Sequence, residues 1–350
     1  MINKTKESNL HKIQFIEKNL NIKIKKEIGK GGFGSVYSII FNKINLNCVM
    51  KVFESQDEKK IKNEIKLSLN CKASNIIKSL REKILDYLGK KVYILFMEYA
   101  KFQDLNIFFN NYFIYNLLKI INNTAKFKWL NNFPEICNQY FTYQIINIFK
   151  FLNSNSIAHF DIKKENLLLA DNFVIKLADF SLSQTFKYSD NNLISLQNGT
   201  IKYMGPEYYV KNNAIRSNNI QKVDFFSLGC ILYYIIKKEM LIKINKNENN
   251  EFIDFNNSNI IEMINNGINE IKLMDLDENL KDLICSLLNE NYEKRPNIFE
   301  LLENKWINEN KKEIQKIKDI NFGEDIKIII EFQKFKPLSS IKKKKYKYTL

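Results

Sequence analysis

The sequence predicts an α+β fold in two lobes, a small β-rich lobe followed by a larger helical one, with a cleft between them. Three observations predict it. Strand-like apolar segments crowd the first hundred residues. Helical periodicities dominate after Asp104. Four of the ten glycines fall in one run, Gly29-Lys30-Gly31-Gly32-Phe33-Gly34, inside the strand-rich part. With 350 residues, 45% of them hydrophobic, the chain can form one large domain or two modest ones sharing a cleft.

In chain order, residues 1–20 read as a polar extension with some helical character. Strand patterns follow at Ile22–Ile24, Val36–Ile40 and Cys48–Phe53. Glu58–Leu69 is charged but carries Ile61, Ile65 and Leu69 at helical spacing. Two apolar strands come next, near Lys83–Leu88 and Lys91–Met97. Pro134 is placed to open a helix that ends near Asn155. Short strands are expected at Leu167–Leu169 and Val174–Leu177. Asn-rich patches at 106–133 and 245–260 read as loops or insertions, and the tail from about 308 ends in the run Lys342–Lys345 plus Lys347.

The net charge is +15, yet the only arginines are Arg81, Arg216 and Arg295. A nucleic-acid reader uses arginine forks, so the charge reads as a solvated lysine surface and no specific nucleic-acid partner is expected. Weak contact of the C-terminal Lys run with an acidic surface is the one partner it suggests. Five scattered cysteines give neither a disulfide frame nor a metal site. The polar start, the Met1-Ile2 terminus and the lack of a long apolar run point to an intracellular protein, cytoplasmic or nuclear, without signal peptide, myristoyl group or transmembrane span.

The glycine run has the form G-x-G-x-x-G-x-V. Glycines let a backbone approach a ligand closely, and free N–H groups in a tight turn cradle phosphates. A dinucleotide fingerprint would need a following helix, whereas a β-branched strand follows here. A plain glycine-rich hairpin also fits. Lys51 lies 17 residues beyond Gly34, in the apolar strand Val49-Met50-Lys51-Val52. Burying that ammonium is costly without a partner, and Glu64 on the next helix can supply one. The pair suits either a structural ion pair or a lysine aimed at phosphates.

The stretch His159-Phe160-Asp161-Ile162-Lys163-Lys164-Glu165-Asn166 sets a carboxylate, a cation and an amide within six residues, and Asp179-Phe180-Ser181 follows behind a short strand. Asp and Asn oxygens are hard ligands that suit Mg²⁺ beside nucleotide phosphates. A proton acceptor, a lysine and two metal ligands in this order assemble phosphoryl-transfer machinery.

With these motifs in place, the sequence resembles the eukaryotic protein kinase family, Ser/Thr type, over about Ile22–Ile307. The resemblance implies a kinase domain over 21–307, with an N-lobe to about 97 and a C-lobe from about 101, between the extension 1–20 and a basic tail 308–350. It implies that Ile28, Gly29, Lys30, Gly31, Gly32, Phe33, Gly34, Ser35 and Val36 cover ATP. Lys51 would bind its phosphates and pair with Glu64. Val49, Met97, Glu98, Ala100, Asp104 and Leu168 would complete the nucleotide site, with Met97 as gatekeeper, Glu98 to Ala100 as hinge and Asp104 near the ribose. Asp161 would be the catalytic base, Lys163 its companion cation, and Asn166 and Asp179 the ligands of Mg²⁺, or of Mn²⁺ in its place. Gly205-Pro206-Glu207 and Arg295 resemble the family's buried ion pair, and Asp224 with Ser227-Leu228-Gly229 the helix beneath the catalytic loop. Lys163 and Gly199-Thr200 point to protein substrates with Ser/Thr acceptors. Asp104 and Glu165 would favour a basic residue before the acceptor.

Several positions depart from the family pattern. Phe160 stands in place of the arginine of His-Arg-Asp, and Gln184 is uncharged where a basic residue is usual. Ser181 replaces the glycine after Asp179-Phe180. Gly205, Phe226, Val49 and Ser68 also differ from the usual residues. By the resemblance, none of these last five replaces a group that would touch phosphate or metal. Because Phe160 and Gln184 supply no cation for a loop phosphate, the expectation is a working kinase that does not depend on activation-loop phosphorylation, either constitutively active or controlled by another element. The alternatives are a pseudokinase scaffold, or a basic tail that binds an acidic surface.

Overall fold

The computed structural model describes residues 2–55, 57–100, 104–105, 133–170, 174–187, 192–197, 199–210, 214–243 and 257–309. Nearly all of both Asn-rich patches, the Lys342–Lys347 run and the Cys137 side chain lie outside the described residues.

The N-lobe is a five-stranded antiparallel sheet in the order β1-β2-β3-β5-β4. Its strands are β1 (Ile22–Gly31), β2 (Gly34–Phe41), β3 (Leu46–Phe53), β4 (Ser79–Tyr87) and β5 (Lys90–Glu98). Alternation sorts the central strands into two faces. Cys48, Met50 and Val52 of β3 join Val92, Ile94 and Phe96 of β5 on one face. Phe53 of β3 joins Tyr93, Leu95 and Met97 of β5 on the other. Both faces are covered, which explains why Val92–Met97 is apolar at every position rather than at alternate ones.

Helix α1 (Ile2–Leu20) covers the first face. Its Ile16 is fully buried among Ile22, Ile39 and Phe96, with Ile13, Phe15 and Leu20 packed beside it. Phe15 stacks on Tyr87 with ring centroids 5.0 Å apart, and Ile24 donates its N–H to Glu17 at 2.7 Å. The segment read as a polar extension is thus a docked helix whose apolar residues form part of the lobe's core. Burying a side chain the size of Ile16 contributes about 1.5–3 kcal/mol.

Helix α2 (Glu58–Asn70) covers the second face through Ile61 and Ile65. Asp57 caps it, accepting the Lys60 N–H at 3.1 Å. Beyond α2 the chain ties the lobes together. Ile77 N–H donates to the Leu177 carbonyl, Leu177 N–H donates to the Asn75 carbonyl, and the Asn75 amide donates to the Ile175 carbonyl at 2.8 Å.

The C-lobe is helical, with α3 (Phe133–Ser154), α4 (Lys222–Lys237), α5 (Asn257–Leu273), α6 (Glu278–Leu287), α7 (Ile298–Leu302) and α8 (Lys305–Glu309). Pro134 is the second residue of α3, where its missing N–H costs nothing. Asn257–Asn259, expected in a loop, instead open α5. Helix α4 is buried on nearly all sides, which accounts for the long apolar run Phe225–Ile236. Short paired strands lie on this lobe: β6 (Ile157–Ala158) with β9 (Gln184–Thr185), β7 (Leu167–Leu169) with β8 (Ile175–Leu177), and β10 (Leu193–Ser195) with β11 (Ala214–Arg216). Among the described residues no helix is long and apolar enough to cross a membrane.

Candidate active site

The glycine run forms the β1–β2 hairpin, with Gly31 opposite Gly34 and a two-residue turn at Gly32-Phe33. Gly34 has φ 153°, and a Cβ there would stand 2.2 Å from the Val52 carbonyl oxygen, so only glycine lets the hairpin lie this close to β3. Ser35 is buried and its hydroxyl donates to Glu54 at 3.0 Å. Ile28 is exposed.

Register then fixes the lysine. Val36 lies opposite Lys51, and Lys51 opposite Leu95, which points its side chain toward α2. Val49 pairs with Met97 in the same way, so the expected adenine-side residues share one face with the lysine. Lys51 Nζ donates to Glu64 Oε1 at 2.5 Å and to Asp179 Oδ1 at 2.9 Å. The ion pair expected from sequence is therefore a triad that spans both lobes.

One ammonium shared by two carboxylates drives their titrations apart. Burial pushes the Glu64 carboxyl up to about 7 against the pull of Lys51. Burial acts the same way on Asp179, but Lys51 outweighs it and holds that carboxyl down at about 2. Burial alone would lower the Lys51 pKa, and the two carboxylates raise it instead. The raised Glu64 makes the native state bind more protons than the unfolded chain between the ordinary carboxylate range and about 7. Stability from this group is complete below the unfolded value and is lost as pH rises through about 7. The urea midpoint of the nucleotide-free protein is thus expected to be higher near pH 5.5 than near pH 8. Glu64→Gln should shrink that difference without abolishing it, since burial also pushes the Asp224 carboxyl up to about 7, and an unchanged slope in the variant would remove Glu64 from it.

The stretch His159–Asn166 hangs from α4. Asp224 is fully buried and accepts the N–H groups of His159 and Phe160, both at 2.8 Å. This holds Phe160 at φ 64°, directly ahead of the buried Asp161. Asp161 Oδ2 accepts Lys163 Nζ at 2.6 Å and Asn166 Nδ2 at 3.0 Å. Its Oδ1 accepts the Thr200 hydroxyl at 2.7 Å and the Thr200 N–H at 3.2 Å. Four donors occupy its four acceptor directions. Lys163 also reaches the Thr200 hydroxyl at 2.9 Å, so sequence-distant Thr200 belongs to the same constellation. Gly199 makes this possible, because a Cβ there would stand 2.3 Å from the Phe160 carbonyl oxygen.

Asn166 spends its NH₂ group on the Asp161 carbonyl and carboxylate, which leaves its side-chain oxygen as the remaining polar atom. That oxygen and the Asp179 carboxylate are hard donors, the donor chemistry that a divalent ion bound to phosphates requires. The residues present fit such an ion.

On the adenine side the hinge residue Glu98 is already engaged. Its carboxylate accepts Lys176 Nζ at 2.6 Å and the Lys78 N–H at 2.7 Å, and its own N–H donates to the Lys78 carbonyl at 2.9 Å. Asp104 forms a backbone bridge with Leu168. Sequence reasoning missed Lys176 and also Asn63, whose amide donates to the Ser183 carbonyl at 3.1 Å and ties α2 to the segment after Asp179. Both contacts join residues about a hundred positions apart, and no local pattern marks them. Lower down, Glu207 and Arg295 form the expected pair, two parallel bonds of 2.7 Å, both buried.

Fold and site together define a protein of the kinase class. The chain belongs to the protein kinase domain family, whose model matches residues 22–307. It is similar to an Aurora kinase of Eremothecium gossypii, 29% identical over 237 residues that cover 65% of this chain and 55% of that protein. It is also similar to CBL-interacting serine/threonine-protein kinase 10 of Arabidopsis thaliana, 27% identical over 84% of this chain and 56% of that protein. Serine/threonine-protein kinase PLK4 of Xenopus laevis is 26% identical over 62% of this chain and 21% of its own length. The chain spans about half the length of the first two.

Proposed function

We propose that this chain is an ATP-dependent serine/threonine protein kinase whose activity does not require a phosphate on its activation segment. One observation carries the reading. Lys51, Glu64 and Asp179 form a closed triad in the same molecule in which Asp161, Lys163, Asn166 and Thr200 form a closed network. That both sets of contacts form in one molecule supports reading them as the two halves of a phosphoryl-transfer site, with Asn166 and Asp179 as the proposed ion ligands.

Each residue has a role in that reaction. The hairpin backbone of Gly29–Gly34 covers the phosphates, and Lys51 neutralises them while Glu64 holds its ammonium in place. The substrate hydroxyl displaces one of the four donors on Asp161 and gives its proton to that carboxylate. Its oxygen bonds to the γ-phosphorus as the β–γ bridging bond breaks, and ADP leaves. Lys163 meets the charge on the transferred group. A divalent ion, Mg²⁺ by preference, supplies charge neutralisation across the phosphates when held by Asn166 and Asp179. Glu165 is exposed and Asp104 half-buried, an acidic pair for a basic residue before the acceptor. The four described cysteines are free, which suits a reducing, intracellular setting.

The test is transfer of labelled phosphate from Mg·ATP to a mixed Ser/Thr peptide pool, followed by identification of the labelled amino acid. Label on serine or threonine that Asp179→Asn abolishes supports the reading. No transfer, with no Mg²⁺-dependent ATP binding by calorimetry, would leave a pseudokinase scaffold.

A further inference from the structure

The Phe160 side chain lies at the junction of everything that must stay aligned around Asp161. It is buried, and it belongs to one apolar cluster with Phe186, Leu196, Met204, Tyr208 and Val223. These come from distinct places along the chain. Phe186 directly follows β9, Leu196 directly follows β10, Met204 lies past Thr200, and Val223 is in the first turn of α4. The cluster therefore joins the start, middle and end of the activation segment to the residue that precedes the base.

The backbone runs parallel to this plug. Ala158 pairs with Gln184 and Ile157 with Thr185, which pins the segment at its start. Ile194 pairs with Ile215 and Ser195 with Ala214, which pins its middle. The segment then returns to the base through Gly199, pressed on the Phe160 carbonyl, and Thr200, bonded to Asp161. Leu196 stands between the paired strand and that return, and it is 5% exposed. A cation or phosphate at this point would be desolvated among mostly apolar side chains.

We propose that Leu196 and Phe186 are positioning residues for Asp161, a packed apolar latch that does with van der Waals contact what a charge pair would otherwise do. The latch rests on the kinase reading above and deepens it by naming how the site is kept assembled. Packed apolar contacts are sensitive to the loss of single methyl groups, because the interior relaxes only in part. Loss of the Leu196 side chain loosens the Gly199–Thr200 return and so the orientation of Asp161. Lys51 and the glycine hairpin lie on other elements, and Lys51 meets the segment at Asp179, ahead of Phe186 and Leu196.

The experiment uses the full chain after phosphatase treatment, as wild type, Leu196→Ala, Leu196→Met and Phe186→Leu. Peptide phosphorylation is measured alongside limited proteolysis within 184–204. Leu196→Ala is expected to lower kcat roughly 10- to 100-fold and to raise the peptide KM, with the ATP KM unchanged. Leu196→Met should recover most of the loss, as volume-conserving apolar swaps do, and Phe186→Leu should fall between. Cleavage within 184–204 should rise in Leu196→Ala and revert in Leu196→Met. Wild-type kinetics and cleavage in Leu196→Ala would overturn the latch, and so would a loss that raises the ATP KM and the peptide KM in parallel. Absence of transfer by the wild type would count against the kinase reading alone. Cleavage would then still decide the latch, supporting it if altered in Leu196→Ala and restored in Leu196→Met, and overturning it if unchanged.

Discussion

Asp161→Asn is expected to lower kcat roughly 10²- to 10⁴-fold, the range that a positioned general base contributes. The amide keeps the size of the side chain but cannot take up a proton at neutral pH. It also disturbs the network, because one oxygen becomes an NH₂ group facing a donor. On one side that donor is Lys163 or Asn166, and on the other it is the Thr200 hydroxyl or N–H. The Thr200 hydroxyl can rotate and accept instead, so the amide settles best with its NH₂ group toward Thr200. ATP binding should persist, since Lys51, Glu64 and the hairpin lie on β3, α2 and β1–β2. Steady-state kinetics with calorimetric ATP binding checks both halves. Wild-type kcat in the variant would remove Asp161 from the proton path.

Arg295→Met is expected to cost about 3–5 kcal/mol of folding stability, because it leaves the Glu207 carboxylate buried without its cation. The Arg295 side chain is fully buried and the Glu207 side chain is 3% exposed. Arg295 spends four donor contacts in the fold: two on Glu207, one on the Lys222 carbonyl at 3.0 Å and one on the Asn289 carbonyl at 2.9 Å. Its guanidinium also lies over the Phe226 ring at 4.8 Å. A lysine could reproduce the charge but not this planar fork, which is why an arginine persists here in a chain that has three. Urea unfolding should show a lower midpoint with the slope unchanged. Adding Glu207→Gln to Arg295→Met should recover part of the loss, since the uncompensated charge goes with it. A single variant as stable as wild type would mean that water reaches the pair.

The elements legible in the sequence were those whose patterning is local. Val36–Ile40, Cys48–Phe53 and Leu167–Leu169 fall inside β2, β3 and β7, because apolar runs between turns leave few other choices. Helix α2 was legible from Ile61, Ile65 and its charged outer face. The docking of α1 was not, although Ile13, Ile16 and Leu20 carry the spacing of a buried stripe. Surrounding lysines and asparagines hide those residues in any average over the segment. The strands β9, β10 and β11 have two or three residues each, and tertiary pairing alone makes them strands. In the candidate site, the residues proposed for phosphoryl transfer were named in the sequence by type and order. Its closure was not, since Thr200 on Asp161 and Asp179 on Lys51 are contacts across 39 and 128 positions. Phe160 read in the sequence as a missing cation. In the fold it is the centre of a packed cluster, a role that spacing along the chain does not reveal.

The most direct test of the central claim compares peptide phosphorylation by phosphatase-treated and untreated protein, with mass spectrometry to establish that residues 184–204 carry no phosphate. The apolar packing around Phe160 predicts the same kcat and peptide KM in both samples. An inactive phosphatase-treated sample that regains activity once a residue of that segment is phosphorylated would contradict it.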